Sequence, residues 1–509
     1  MRSFLIIISL LFSLATTAQL QLDHLHYRNQ IDHSTLYFAD KKSLHSSVKP
    51  ILNAPVEDYY KKSPLQWMVK KDTSEQASVF SASRIYAISK LSGGIQLGPS
   101  ALPLYTAGAG LGIDHSRKKF FITAKILPYY TQSGYIRDSI QSVYDQDIGT
   151  ARSITKGVFY QAELIAAYRP NQFFTFMGGY GKNFFGEGYR SLLLSDNAAP
   201  NPFLKIETTF AGIKYVNLYN VWKDNTTNPF DRSKDIRKFS AIHYLSWNIS
   251  RDVNLSIFET VVWQGKDTLT NRGFDFNYIN PVVFYRPVEY GLGSSDNVLI
   301  GANLSYKLTN HHHFYSQFIL DEFLLSEIKE QSRWWANKYG WQLGYKSDAF
   351  FHDSLYFQIE FNGARPFTYS HRNSQHAYGH LNAPVAHPIG ANFMELLQIT
   401  SFKTGKHRFT NKITFAAYGS DTDSISYGQD IFKPYTYRPG DFDQLLMQGL
   451  RKNVCNESFI YEYALWPEID MYLTASYNWR MVNTSLETRH FHSFSIGLKS
   501  RIWNQYNDF

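Results

Sequence analysis

Four histidines, His371, His376, His380 and His387, share one stretch with Tyr369, Tyr378, Arg365 and Arg372. A zinc site would need three or four converging ligands. The spacing follows no closed site, and the single cysteine, Cys455, lies elsewhere. A sugar suits these residue types better. Flat aromatic faces stack on sugar rings, while Arg and His hydrogen-bond hydroxyls or uronate carboxylates. The same residues would equally serve to pin loops together. A second stretch, 181 to 203, carries Tyr189, Arg190 and Asp196 among Gly181, Gly186 and Gly188. It lacks the Gly-Lys-Ser/Thr ending of a phosphate-binding loop. Its glycines suit a backbone that folds inward and buries Leu192 to Leu194.

Catalysis is poorly served. Asp321 and Glu322 are adjacent carboxylates, but nothing places an acceptor between them. Ser370 and His371 are neighbours in sequence, and neighbouring side chains diverge. No nucleophile elbow or metal motif is present, so the expectation is a protein that is not an enzyme and takes no cofactor or metal. Asn310 to His313 reads as a polar turn. Trp334 and Trp335 read as part of an outer aromatic girdle.

The elements that hold these stretches alternate with period two. Ile469, Met471, Leu473, Ala475, Tyr477, Trp479 and Met481 fall on one face; Asp470, Tyr472, Thr474, Ser476, Asn478 and Arg480 fall on the other. Period two means strand. Phe494, Ile496, Leu498 and Ile502 continue the pattern, and the chain ends on Phe509. Val298 to Leu308 and Leu355 to Phe361 alternate as cleanly, with Lys307, Gln358 and Glu360 on the polar face. Charge at every second position suits a wet lumen against an apolar exterior. Short connections at 115–118, 169–172, 250–252, 310–313, 404–406 and 466–467 alternate with long ones at 131–156, 181–203, 264–296, 323–338, 364–392 and 419–456. The order fails only at Leu204 to Trp222, and a break at Ala211-Gly212 restores it. The expectation is all-β: a transmembrane antiparallel up-and-down barrel of about 18 strands, with long loops extracellular and both termini periplasmic.

The N-terminus reads as a secretory signal peptide over residues 1–18, with Arg2, an apolar run and a small-residue site ending at Ala18. Residues 19–78 form a segment that is periplasmic, or folded into the barrel mouth, or a disordered tail. It has helix-like pieces at 56–60 and 65–70. The barrel takes 79–509. No stretch reaches the roughly 18 apolar residues of a spanning helix. Mean hydropathy is −0.33, which a barrel reaches because polar lumen residues average out the lipid face. Aromatic residues make up 17%, fitting interfacial girdles. The net charge of +8 comes from scattered residues, which argues against nucleic acid and for attraction to acidic glycans or lipid headgroups.

The stretch from Gly181 to Thr208 resembles the Wzi-like capsule-assembly outer-membrane proteins of Bacteroidota, nearest to the gliding-motility proteins among them. Asn277 to Arg286, Gln317 to Phe323, Trp334 to Gly344 and Arg365 to Phe393 follow in matching order. The resemblance implies an 18-strand outer-membrane barrel engaged with surface polysaccharide or surface motility. Its expected partners are outer-membrane lipid, a surface polysaccharide, and gliding or surface-assembly proteins. Tyr189, Arg190, Asp196, Arg365, Tyr369, His371, Arg372 and Tyr378 are then candidates for an aromatic, basic glycan platform over the mouth. A porin-like channel for small solutes is the alternative reading, and a surface hydrolase a weaker one.

Overall fold

A computed structural model describes residues 21–23, 45–53, 81–98, 101–117, 119–132, 152–155, 157–224, 233, 235–266, 272–281, 296–501, 503, 504 and 506. The signal peptide, the helix-like pieces at 56–60 and 65–70, and Phe509 lie outside these residues. Eighteen antiparallel strands close into one barrel. They are β1 (Ser81–Leu97), β2 (Leu102–Arg117), β3 (Phe120–Gln132), β4 (Val158–Tyr168), β5 (Phe174–Gly181) and β6 (Asn201–Phe210). Then follow β7 (Ile213–Asp224), β8 (Ile236–Asn248), β9 (Val253–Gln264), β10 (Asn297–Lys307), β11 (His312–Glu322) and β12 (Lys338–Ser347). The last six are β13 (Leu355–Ala364), β14 (Phe393–Thr404), β15 (His407–Ser420), β16 (Leu450–Trp466), β17 (Met471–Thr484) and β18 (Thr488–Ser500). Each pairs with its neighbour in sequence, and β18 closes on β1, with Leu498 opposite Leu91.

Side-chain alternation produces the two surfaces. On β2, Tyr105, Leu111 and Ile113 are exposed; so are Ile126 on β3, Leu343 on β12 and Ile496 on β18. The interleaved residues face inward. Lys125 on β3 meets Glu163 on β4 at 2.8 Å, shut away from solvent. The expected break in the 204–222 stretch is a two-residue turn. Ala211 and Gly212 both take positive φ, 49° and 80°. That backbone matches the twist of a tight hairpin, and a glycine supplies the second position without strain.

The main core lies inside the barrel. Val48, Phe185, Leu192 to Leu194, Trp222, Tyr244, Phe258, Tyr369 and Tyr378 form one buried cluster. Other segments fill this space besides the wall. Residues 45–53 pass through it, with Val48–Lys49 pairing against Phe184–Phe185. The loops after β5 and after β13 fold in from the long-loop end. The final strand stops at Ser500, and Asn504 and Tyr506, which follow it, reach inside. Tyr506 is held inside by polar partners described below. Within the long connection after β9, residues 272–281 lie against the outer wall of the barrel, with Tyr219 Oη donating to Ile279 O at 3.1 Å.

Candidate functional site

The loop after β5 is anchored residue by residue. Phe185 stacks on Tyr244 of β8, with ring centroids 4.5 Å apart and planes 6° apart. Gly186 has φ 151°, and a Cβ there would sit 2.4 Å from Gln317 Nε2, so the backbone comes too close for a side chain. Gln317 Oε1 accepts from Leu192 N at 2.8 Å. Glu360 of β13 accepts from Tyr189 N at 2.8 Å, Arg190 N at 3.1 Å and Tyr315 Oη at 2.8 Å. The Arg190 guanidinium is buried and forks onto Glu395 of β14, with Nη2 at 3.0 Å and Nε at 3.3 Å. His387 and Asn362 complete that carboxylate at 2.8 Å and 3.0 Å. Lone pairs taken from water are thus met by charge-assisted donors.

Asp196 closes the loop from below. Tyr506 Oη donates to it at 2.5 Å and Asn504 Nδ2 at 3.0 Å, while Lys182 Nζ donates to the Asp196 carbonyl. Burial raises the Asp196 carboxyl and lowers the Lys182 ammonium to about 7. Tyr189 is half-buried, edge-on to Tyr506 at 5.2 Å, with Lys412 Nζ donating to its hydroxyl at 3.0 Å.

The loop after β13 rides on top. Tyr369 and Tyr378 stack at 5.9 Å and are fully buried. Their hydroxyls donate to Leu192 O at 2.9 Å and Leu193 O at 2.6 Å. Ser195 N donates to Val385 O at 2.7 Å, tying the two loops by backbone. Phe367 and Tyr369 hold φ at 66° and 71°, a conformation bulky side chains rarely adopt. Such strain persists only where surrounding contacts impose it. Here Phe367 N donates to Gly428 O at 3.0 Å and Tyr369 N to Asp321 Oδ2 at 2.9 Å.

The eight candidate residues therefore do not make one platform. Tyr189, Arg190 and Asp196 sit in the lumen. Tyr369 and Tyr378 are wedges between loops, with no ring face open to a sugar. Arg365 donates to Trp334 O at 3.3 Å. Arg372 is exposed, and His371 and Arg365 are half-buried. The four loop histidines do not converge: His380 Nδ1 accepts from Lys223 N, and His387 serves Glu395.

A different aromatic and basic cluster surrounds His371. The Tyr435 ring lies 5.7 Å from His371 and 4.7 Å from Trp335. The Arg438 guanidinium lies over Trp335 at 4.2 Å, braced by Asp441 at 2.7 Å. Lys338 Nζ sits below, 5.0 Å from Tyr435. Burial, followed by the nearby His376, Lys338 and Arg372, lowers His371 to about 3, so it stays neutral. Trp334, Trp335, Tyr435, Arg438 and Arg372 thus join half-open rings to guanidinium groups at the long-loop end. Trp335 belongs to this cluster and not to a girdle. Its partners come from the loop after β15, where the run from Phe432 to Arg438 carries the aromatic and basic signal in sequence.

Residues 45–53 bring a histidine into the lumen. The His45 imidazole lies 2.9 Å from Ser246 Oγ and 3.3 Å from Asn248 Nδ2. Burial, then the Lys214 charge, lowers it from 6.5 to about 3, with Glu207 opposing. An undocked His45 binds its proton near 6.5, the docked one only near 3. The contribution of His45 to docking is therefore complete above pH 6.5 and is lost as pH falls toward 3. Limited proteolysis of the folded barrel between pH 7 and 4 should show this segment becoming susceptible first. His45→Asn should flatten the dependence, and an unchanged profile in that variant would contradict the assignment.

No protein-family model matches the chain, and no curated protein matches it. Among solved structures it is similar to Wzi, an outer-membrane protein involved in group 1 capsule assembly in Escherichia coli and a carbohydrate-binding β-barrel. The TM-score is 0.55 at 11% identity, covering 94% of this chain and 99% of that one. It also matches OccAB1 of Acinetobacter baumannii, with TM-score 0.46, 7% identity, and coverage of 84% of this chain and 99% of that chain. The outer-membrane protein OprD of Pseudomonas aeruginosa gives TM-score 0.44 and 8% identity over 86% of this chain and 100% of that chain. At such identities the likeness is one of architecture, and the chain has a Wzi-like fold.

Proposed function

We propose that this chain is a binding protein of the outer membrane, not an enzyme, and that its extracellular loops hold an acidic surface polysaccharide. The observation that carries this reading is the cluster of Trp334, Trp335, Tyr435, Arg438 and Arg372 at the long-loop end. Rings offer stacking faces, and guanidinium groups match uronate carboxylates in geometry and charge. The likeness of fold to a carbohydrate-binding barrel and the net charge of +8 support it. Retention of polysaccharide would serve capsule attachment or assembly, or adhesion during gliding, with surface-assembly proteins as further partners. A porin-like channel is the second reading; the loops after β5 and β13 and residues 45–53, which lie inside the barrel, favour the first.

Trp335→Ala with Arg438→Ala tests the reading on the purified barrel against an immobilised uronic-acid polysaccharide. The expected loss of affinity is about tenfold to a hundredfold, the range of a central Trp or Arg contact. Wild-type binding should also weaken as salt is raised, because exposed charges are screened. Equal affinity in variant and wild type would remove the cluster from the function.

A further inference from the structure

The wall formed by β7, β8 and β9 breaks the alternation of apolar outside and polar inside. Asn217 lies opposite His243, and His243 opposite Glu259, in matched register near mid-strand. Their neighbours along the strands, Leu218, Tyr244 and Phe258, belong to the lumen core. Alternation therefore turns Asn217, His243 and Glu259 outward. All three are buried nonetheless, His243 and Glu259 to 1% exposure. His243 Nδ1 is 3.8 Å from the Glu259 carboxylate. Amide, imidazole and carboxylate groups facing hydrocarbon at mid-wall are strongly disfavoured.

The segment after β9 lies on this sector. Trp263 Nε1 donates to Gly273 O at 3.2 Å. Phe274 packs edge-on against Phe239 and Tyr219 at 5.7 and 6.2 Å. Tyr278 is fully buried, its ring 4.9 Å from Trp263 and its hydroxyl donating to Asp296 at 2.6 Å. Tyr215 Oη donates to Pro281 O at 2.7 Å. Tyr215 stands two residues nearer the short-turn end than Asn217, so the segment descends past the polar row. Its single 3-10 turn, Phe276–Ile279, is capped by Asp275, which accepts from Asn277 N. Tyr278 points to the wall, while Phe276 and Ile279 are exposed on the far side.

We infer that residues 272–281 are an external strap, seated at membrane depth against the barrel, which seals the Asn217–His243–Glu259 row from lipid. Irregular backbone is tolerated at that depth only where protein satisfies it. The strap meets this condition through the tyrosine hydroxyls and the Trp263 indole, and presents Phe276 and Ile279 to the bilayer. It accounts for an outward carboxylate that no bare lipid-facing wall would keep. Docking of the strap is then a condition for insertion of this sector.

Two measurements test it. In a Cys455→Ser background reconstituted into phosphatidylcholine vesicles, a nitroxide on Phe276→Cys should collide more with oxygen than with a nickel chelate. A label on Ile496→Cys, on the lipid face, should behave alike; one on Gly440→Cys, in an open loop, should show the reverse. Chelate access at 276 equal to that at 440 would overturn the strap. Separately, Tyr278→Ala should lose most of the heat-modifiable folded form. Adding Asn217→Leu, His243→Leu and Glu259→Leu should restore it, because a lipid-compatible row needs no seal. Failure of the added leucines to restore folding, in a background where they fold normally alone, would overturn the sealing role.

Discussion

Arg190→Ala should open the lumen and destabilise the barrel. Arg190 holds the tip of the loop after β5 to Glu395 through two nitrogens, in a site closed to water. Removing one partner of such a buried pair costs about 3–5 kcal/mol, and Glu395 would keep only His387 and Asn362. The Glu360 contacts to the Tyr189 and Arg190 amides depend on the same backbone position. Planar-bilayer recording should therefore show little current for the wild type and frequent large openings for the variant, with a lower unfolding temperature. Arg190→Lys should restore little, since an ammonium cannot fork onto a carboxylate. Arg190→Met with Glu395→Gln should recover part of the stability by removing both charges. A silent Arg190→Ala barrel would mean that the remaining plug segments suffice to close it.

Tyr378→Ala should separate from Arg372→Ala by a wide margin. The two residues lie six positions apart in one loop. Tyr378 is fully buried, edge-on to Trp222 at 5.5 Å, and donates to Leu193 O. Truncating a buried aromatic ring leaves a cavity and costs about 3–5 kcal/mol. The Leu193 carbonyl also loses its donor, and so the loops after β5 and β13 should part. Protease should then cut both loops in folded barrels. Arg372 is exposed, and its truncation should leave the unfolding midpoint within experimental error. Its effect should appear in polysaccharide binding alone. Equal stability of the two variants would show that the loop does not depend on the Tyr378 anchor.

That pair also shows where sequence was informative. Strand order, strand number and the Ala211-Gly212 break follow from alternation and connection length, because a barrel wall must present opposite chemistry on its two faces. The glycines of the loop after β5 also pointed to Leu192 to Leu194 as inside. It could not say which aromatic residue in an inward loop would face solvent. Tyr369 and Tyr378 are as suited to stacking on sugar as to wedging a loop, and only long-range packing against Leu192, Leu193 and Trp222 decides. Trp335 and Tyr435 are 100 positions apart and meet through loop folding alone. The outward Glu259 was hidden for another reason. Asn217, His243 and Glu259 interrupt three strands once each, and one polar residue per strand on the lipid side has no periodic signature until the segment covering it is in place.

The passage of residues 45–53 through the lumen imposes an order on biogenesis. This stretch precedes the first strand, yet Lys205 Nζ reaches Pro50 O and His45 meets Ser246 from inside a continuous wall. The wall closes where β18 joins β1. The stretch must be in place when that seam zips, or be drawn in afterwards through the short-turn end, where Tyr506 already stands. A chain shortened before Asn504 would still be able to zip its seam. It would lack the two side chains that fasten Asp196, and an insertion machine that reads only strand closure would release it with its interior unlocked.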